Sequence, residues 1–293
     1  MTSPDTVSLP APRREFRDSG IGRLLRRPSA LLGLILLAGI LAMAGFADLV
    51  FPGDPLDMAG MPLMRPGDAP EFPLGTDMMG RDLASGIFHG ARVSLLIGGV
   101  AALVSLAVGI GIGALSGYYG GRIDRALMRL TELFQTIPPF LFTLALVAIL
   151  QPSIATITAA IGITSWSGLA RLVRAEVLRL RNSELAQASI ILGASDARII
   201  FLHILPNALA PVIVSASILV ATAILTESSL SFLGLGDPNV VSWGGMVGAG
   251  REAIRTDPHV AALPGVAIVV AVLALNLLGD GLNDVLNSKG ERR

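Results

Sequence analysis

The side chains able to do chemistry are few and poorly arranged for catalysis. The chain has no cysteine and three histidines, His89, His203 and His259. Disulfides, thiolate metal sites and thiol nucleophiles are therefore excluded, and no His-Glu-x-x-His occurs. The single lysine, Lys289, precedes Gly290, so the Gly-x4-Gly-Lys-Ser/Thr loop that cradles nucleotide phosphates is missing. Gly234-Leu235-Gly236-Asp237 has the Gly-x-Gly-Asp spacing of a membrane aspartyl protease. That chemistry needs a second carboxylate to share a proton, usually beside a tyrosine. Both tyrosines, Tyr118 and Tyr119, lead into Gly120 instead. The segment reads as a turn before Pro238, and the chain as a non-enzyme with no cofactor or metal of its own.

The elements around these residues are membrane helices. Of 293 residues, 52% are hydrophobic and 15% charged, against about 25% charged in a soluble domain. Basic and acidic residues balance at 22 each, so nothing favours nucleic acid. Six stretches approach the roughly 20 apolar residues a spanning helix needs: Ser29–Val50, Val93–Tyr118, Ile137–Leu150, Ser153–Leu172, Pro206–Ser228 and Ala261–Asn283. The third is short and meets the fourth through a Gln151-Pro152 turn. These runs are continuous rather than alternating, which excludes a β-barrel. The first resembles a signal peptide around Ala42-Met43-Ala44, but its long basic leader suits a retained anchor. The expected fold class is all-α, a six-span polytopic membrane protein.

Charge sets the expected orientation. With the N-terminus inside, segments 1–28, 119–136, 173–205 and 284–293 together with Arg171 hold 17 of the 22 basic residues. Loop 51–91 carries six acids: Asp54, Asp57, Asp68, Glu71, Asp77 and Asp82. Both termini are expected in the cytoplasm. His203 then faces inside and His89 and His259 outside, so the three cannot share one metal. The organisation reads as a tail 1–28, an anchor 29–50, an outer loop 51–91, a core 92–283 and a tail 284–293.

Residues 183–205 are the informative cytoplasmic segment. The fourth span reads as continuing in a basic helical extension through Arg171, Arg174, Arg179 and Arg181. After it, Leu185, Ala188, Ser189 and Leu192 recur at helical spacing on one small, apolar face. Gly193 suits the left-handed position that ends a helix. Ser195 can cap the next one, with Asp196 in its first turn, and Pro206 fits the start of the fifth span. Two short helices with a sharp bend follow from this pattern. They either dock another surface or lie on the lipid.

The residue string resembles the cytoplasmic signature of ABC-importer permeases, Glu-Ala-Ala-x3-Gly followed by a hydrophobic residue and Leu-Pro. Here it reads Gln187-Ala188-Ser189, Gly193 and Ile204-Leu205-Pro206, with Gln187 in place of Glu and Ser189 in place of Ala. Phe72-Pro73-Leu74-Gly75-Thr76-Asp77, Gly80-Arg81-Asp82, Gly117-Tyr118-Tyr119-Gly120-Gly121, residues 226–236, Ser242-Trp243-Gly244 and residues 278–284 extend it. Together they are similar to the dipeptide/oligopeptide/nickel permease family, in particular its second permease subunit. The resemblance implies the type I importer permease fold in a bacterial inner membrane. It also implies a homologous second permease, two ATPase subunits carrying ATP and Mg, an external solute-binding protein, surrounding lipid, and a peptide, nickel or other small solute as cargo. It further implies that Glu184, Leu185, Gln187, Ala188, Ser189, Leu192, Gly193, Ala194 and Ser195 form the coupling element that docks the ATPase.

Other residues carry weaker expectations. Gly109, Gly113 and Gly117, with Ser105, form a stripe for close helix packing, within the subunit or against a sister permease. Glu227 near the outer end of the fifth span and Asn276 within the sixth are pathway or gate candidates, since intramembrane polar groups face the bundle interior or a water-filled path. Packing roles are open for both. Asp77 and Asp82 could meet a binding protein or a basic group on the solute, or serve turns and caps. A self-sufficient carrier or channel would place ionisable groups at mid-span, and none is found there.

Overall fold

Proline and glycine decide where the helices break. The computed structural model describes Gly22 and residues 27–287, so most of the expected tail 1–28 and residues 288–293 of the expected tail 284–293 lie outside them, while residues 284–287 belong to the last helix. Among the described residues the principal elements are α1 (Pro28–Gly45), α2 (Leu83–Tyr119), α3 (Gly121–Thr136), α4 (Pro139–Leu150), α5 (Ile154–Arg181), α6 (Glu184–Ile191), α7 (Leu205–Leu230), α8 (Trp243–Gly250) and α9 (His259–Asn287). The loop between α1 and α2 holds a lone β-bridge between Thr76 and Asp82.

Four stretches are long and apolar enough to cross a membrane: Pro28–Gly45, Leu83–Tyr119, Asp196–Leu235 and His259–Leu286. A fifth arises only if α3 and α4, bent by 80° against each other, count as one broken span. The sequence expectation of six is thus met in part, and the shortfall has two causes. Pro138 and Pro139 lack amide protons, and a residue before proline is driven from the α region. Ile137 is accordingly extended, at φ −93° and ψ 130°, which leaves α4 only 12 residues. The second cause is α5. It has 28 residues, but its Thr and Ser residues keep it less apolar than those four. A helix enclosed by other helices can carry polar groups that bond across the interface. Ser105 Oγ donates to Gly162 O at 3.0 Å, and Thr143 and Thr164 hydroxyls meet at 2.7 Å.

Local chemistry sets the remaining ends. Asp82 accepts from Ala84 N at 2.9 Å and starts α2 ten residues before the apolar run at Val93. Ser153 caps α5 through Thr156 N. Gln151 takes φ +69° in the tight turn between α4 and α5.

The bundle is organised by α2 packed along α5. Gly109, Gly113 and Gly117 lie against Leu169, Ala170, Val173 and Val177, so close that a Cβ on Gly113 would sit 2.5 Å from Ala170 O. With no apolar driving force between helices in lipid, such close approach is what stabilises their association. One core joins Tyr118, Val173, Val177, Ile199, Ile204 and Val212 at the basic end. A second packs Ile40 and Ala44 of α1 with Ile224, Trp243 and Leu275. Trp243 is fully buried and donates from Nε1 to Ile87 O at 2.9 Å. Near the C-terminal end of α9, Asp284 pairs with Arg27 at 3.5 Å, both half exposed.

Candidate functional site

The bent element forms at the end of α5. Ser183 donates to Leu180 O at 2.6 Å and accepts from Ala186 N at 3.4 Å, closing α5 and opening α6 in one residue. Gly193 takes φ +77°, a left-handed conformation a Cβ disfavours. Its amide donates to Ile190 O at 3.0 Å, and Ala194 N donates to Ser189 O at 3.1 Å, completing the helix end. Ser195 stands at the next N-cap but its side chain makes no capping bond, against the sequence expectation. Asp196 is instead drawn across the bend, where Tyr118 Oη donates to its Oδ1 at 2.8 Å.

The apolar line of α6 turns away from the bundle. Leu185 is 59% exposed, Ile191 85% and Leu192 86%. Glu184, Gln187 and Ala188 are exposed as well, while Ser189 is half-buried and returns its hydroxyl to Leu185 O at 2.8 Å. Only Ala186 of this helix is buried. Beyond the bend, Ile199, Ile200 and Ile204 pin a π-helical segment, Ile199–Ile204, to the core and leave Phe201 69% exposed.

Three contacts missed by sequence reasoning brace this element. Arg174 donates to both carboxylate oxygens of Asp124, the pair from NH2 to Oδ2 at 2.6 Å. Asp124 also accepts from Ser116 Oγ. Arg181 lies over the Tyr118 ring, 5.7 Å from its centre. The helical extension of α5 signalled that arginines would project here, but nothing local marks Asp124 as their partner.

At the other end, Glu227 is 1% exposed. Its Oε1 accepts from Ser231 Oγ at 2.8 Å and Ser242 Oγ at 2.7 Å. Gly244 lies so close that a Cβ there would sit 2.9 Å from Glu227 Oε2. The carboxylate thereby ties the end of α7 to the start of α8. Gly234 takes φ +84° and kinks the π-helical segment Ser231–Leu235, and Asp237 follows the bend at Gly236. Asp237 caps α5 by accepting from Ile154 N at 3.1 Å, and also accepts from Asn239 N at 3.0 Å. Burial pushes the Asp237 carboxyl up, but these amide bonds outweigh it and hold it below the usual carboxylate range. Asp82 is shifted the other way, raised by burial despite bonds from Ala84 and Ser85 amides. Asp77, Arg81, Asp82 and Asp237 border a cavity of about 340 Å³. Asp77 also holds the amides of Met79 and Arg81, a turn role.

Asn276 is exposed on α9 and is not brought to Glu227. A set of hydroxyls on α7 was not singled out from sequence. Thr222 and Ser229 are exposed and Ser215 and Thr226 half-buried, each donating to a carbonyl one turn back. Their seven-, four- and three-residue steps place them on one face, a helical-wheel signal present in the sequence. An open groove of about 430 Å³ bordered by Phe140, Leu225, Ser229 and Phe232 runs beside them. Among the described residues no cluster of His, Asp or Glu could hold a metal.

Comparison with known proteins identifies the family. Residues 109–291 match the family described as binding-protein-dependent transport system inner membrane component. The di/tripeptide transport system permease protein DppC of Pseudomonas aeruginosa is 39% identical, over 98% of this chain and 95% of its own length. The oligopeptide permease OppC of Bacillus subtilis is 38% identical over 89% and 85%. The glutathione permease GsiD of Pectobacterium atrosepticum is 37% identical over 96% and 93%. Among solved structures, a chain of the inward-facing MetNI methionine ABC transporter superposes with TM-score 0.57 at 19% identity, over 69% of this chain and 96% of that one.

Proposed function

This chain belongs to the family of binding-protein-dependent transport system inner membrane components, and from that premise we propose that it is one of two paired permeases through which an ATP-driven importer moves small peptides. It is a non-catalytic permease subunit of an ABC importer, and its family implies an ATPase and a solute-binding protein as partners. Peptide cargo is supported by relatives named for di/tripeptide, oligopeptide and glutathione transport. Two homologous permeases would enclose the path and two ATPase subunits would hold the ATP and Mg.

The observation that carries the reading is the bent element. Leu185, Ile191 and Leu192 face outward on a helix fastened to the bundle by Ala186. Such a surface fits a cleft on a partner, and in this reading the partner is the ATPase. The rest of the proposed coupling set, Glu184, Gln187, Ala188, Ser189, Gly193, Ala194 and Ser195, shapes and borders it. Asp237 holds one end of α5 and Ser183 the other. At 1.5 Å per residue, α5 is a rod of about 42 Å between the outer turn and the docking helix. ATP binding would draw the docking elements of the two permeases together and turn the path outward. Nucleotide can drive this only by favouring one conformation over the other.

In this reading the chain crosses six times, with α4 as the third crossing and α5 as the fourth, both termini in the cytoplasm, and residues 92–283 as the permease core. Thr222, Thr226 and Ser229 with Asn276 would face the path, since exposed polar groups at membrane depth border water or a partner rather than lipid. Glu227 would hold the outer closure between α7 and α8.

The test is mass spectrometry of proteins that copurify with the tagged chain from native membranes. P-loop ATPases, a sister permease and a binding protein carrying a peptide are expected. Recovery of the chain alone across several mild detergents, with solute uptake by that chain alone in liposomes, would refute the proposal.

A further inference from the structure

A second polar site lies apart from the docking element and the cavity at Asp237, in a cleft of about 490 Å³ between α3 and α5. Arg125, Arg129, Arg171 and Arg174 border it with Asp124 and Glu132. Arg174 is committed to Asp124. Arg125, Arg129 and Arg171 have no ion-pair partner among the described residues and are exposed. Three free guanidinium groups therefore converge on one cleft against a single free carboxylate, Glu132.

What surrounds the cleft narrows the ligand. α3 is amphipathic, with its arginines on one side and Ile123, Leu130 and Leu133 exposed at 47%, 41% and 67% on the next. The apolar exposure continues into α4 with Ile137 at 46% and Leu141 at 55%. α3 lies at 80° to α4, so if α4 crosses the bilayer, α3 runs along its surface. A helix with basic residues on one face and large apolar residues beside them fits the headgroup boundary. A free anion would use the arginines and leave the apolar shelf without a role. An amphiphile with an anionic head uses both, and arginine forks match phosphate oxygens in geometry.

We propose that the Arg125–Arg129–Arg171 cleft binds the phosphate of an anionic phospholipid, whose acyl chains lie on Leu130, Leu133, Ile137 and Leu141. The lipid fastens α3 to the bilayer where it meets the basic end of α5. The proposal rests on the chain being a membrane component and is independent of which solute is carried.

The experiment is native mass spectrometry of the full-length chain released from nanodiscs holding equal phosphatidylcholine and phosphatidylglycerol, read as the ratio of the two lipids retained. Each basic residue near an anionic headgroup contributes roughly a fivefold preference. Wild type is expected to retain phosphatidylglycerol selectively, and R125Q/R129Q/R171Q to lose roughly 100-fold of that preference. Arg255→Gln, an exposed arginine remote from the cleft, should leave the ratio unchanged. Retention of phosphatidylcholine and phosphatidylglycerol equally by wild type would overturn the proposal whether or not the triple variant folds. Undiminished selectivity in a folded triple variant would overturn it too. Complete displacement by inorganic phosphate would identify a free-phosphate site instead and sink the lipid assignment.

Discussion

The carboxylate of Asp124 is gripped by two nitrogens of the Arg174 guanidinium, across 50 residues of sequence. The pair joins α3 to the stretch of α5 that leads into α6, and it is partly shielded from solvent, at 33% side-chain exposure for Arg174 and 19% for Asp124. Removing one partner leaves the other inadequately paired. Arg174→Gln should lower the stability of the purified chain by about 1–3 kcal/mol. The exchange Asp124→Arg/Arg174→Asp should recover part of it, as thermal unfolding in detergent would record.

The proposed docking surface should be open to disruption without harm to insertion. Ala188→Arg adds a long cation to an exposed position of α6. It should abolish solute uptake while membrane insertion and helix content stay at wild-type levels. Wild-type uptake by a complex that contains Ala188→Arg would remove this face from the coupling surface. Gly193→Ala, which forces a Cβ into φ +77°, should cost about 1 kcal/mol and weaken coupling more mildly.

Glu227 fastens two elements through Ser231 and Ser242. Glu227→Ala would strip both hydroxyls of their buried acceptor, at about 1–3 kcal/mol. The expected sign is faster proteolysis between α7 and α8 in membranes. Glu227→Gln keeps an acceptor and should be milder. Equal protease resistance in Glu227→Ala and wild type would deny the fastening role.

The absence of cysteine gives thiol labelling a clean background. Single cysteines at Thr222 and Ser229 should react with a membrane-impermeant, water-soluble reagent in the assembled transporter, and peptide cargo should slow them. A cysteine at Leu103, exposed at 64% on the apolar span α2, should stay unlabelled in the bilayer. Inert cysteines at both hydroxyl positions would take α7 out of the path.

Asp237 predicts an acid limb. Its folded carboxyl lies below the usual range because the Ile154 and Asn239 amides outweigh its burial. A depressed folded pKa contributes stability that is present above the ordinary carboxylate range and is lost as pH falls through the folded value. The hydrogen-exchange protection factor at the first turn of α5, taken relative to the intrinsic rate at each pH, should therefore fall on acidification. Asp237→Asn should flatten that dependence.

Much of this protein follows from its sequence. Continuous apolar runs, the lack of charge and the asymmetry of arginine specify a helical membrane chain, because the cost of a polar backbone in lipid is met inside each helix. The bend at Gly193, the Gln151-Pro152 turn and the cap at Asp82 are likewise written within a few residues. The small-residue stripe and the family resemblance were also legible, since both depend on residue type at short spacing.

Tertiary structure decided what no local spacing encodes. It sets α3 at 80° to α4, faces Gly109, Gly113 and Gly117 onto α5, joins Asp124 to Arg174 and Tyr118 to Asp196, and buries Glu227 between two serines while leaving Asn276 exposed. Each of these depends on how whole helices cross. α5 tolerates its buried Thr158, Thr164 and Ser167 because neighbouring helices, not lipid, face them, and that environment exists only after the bundle has formed.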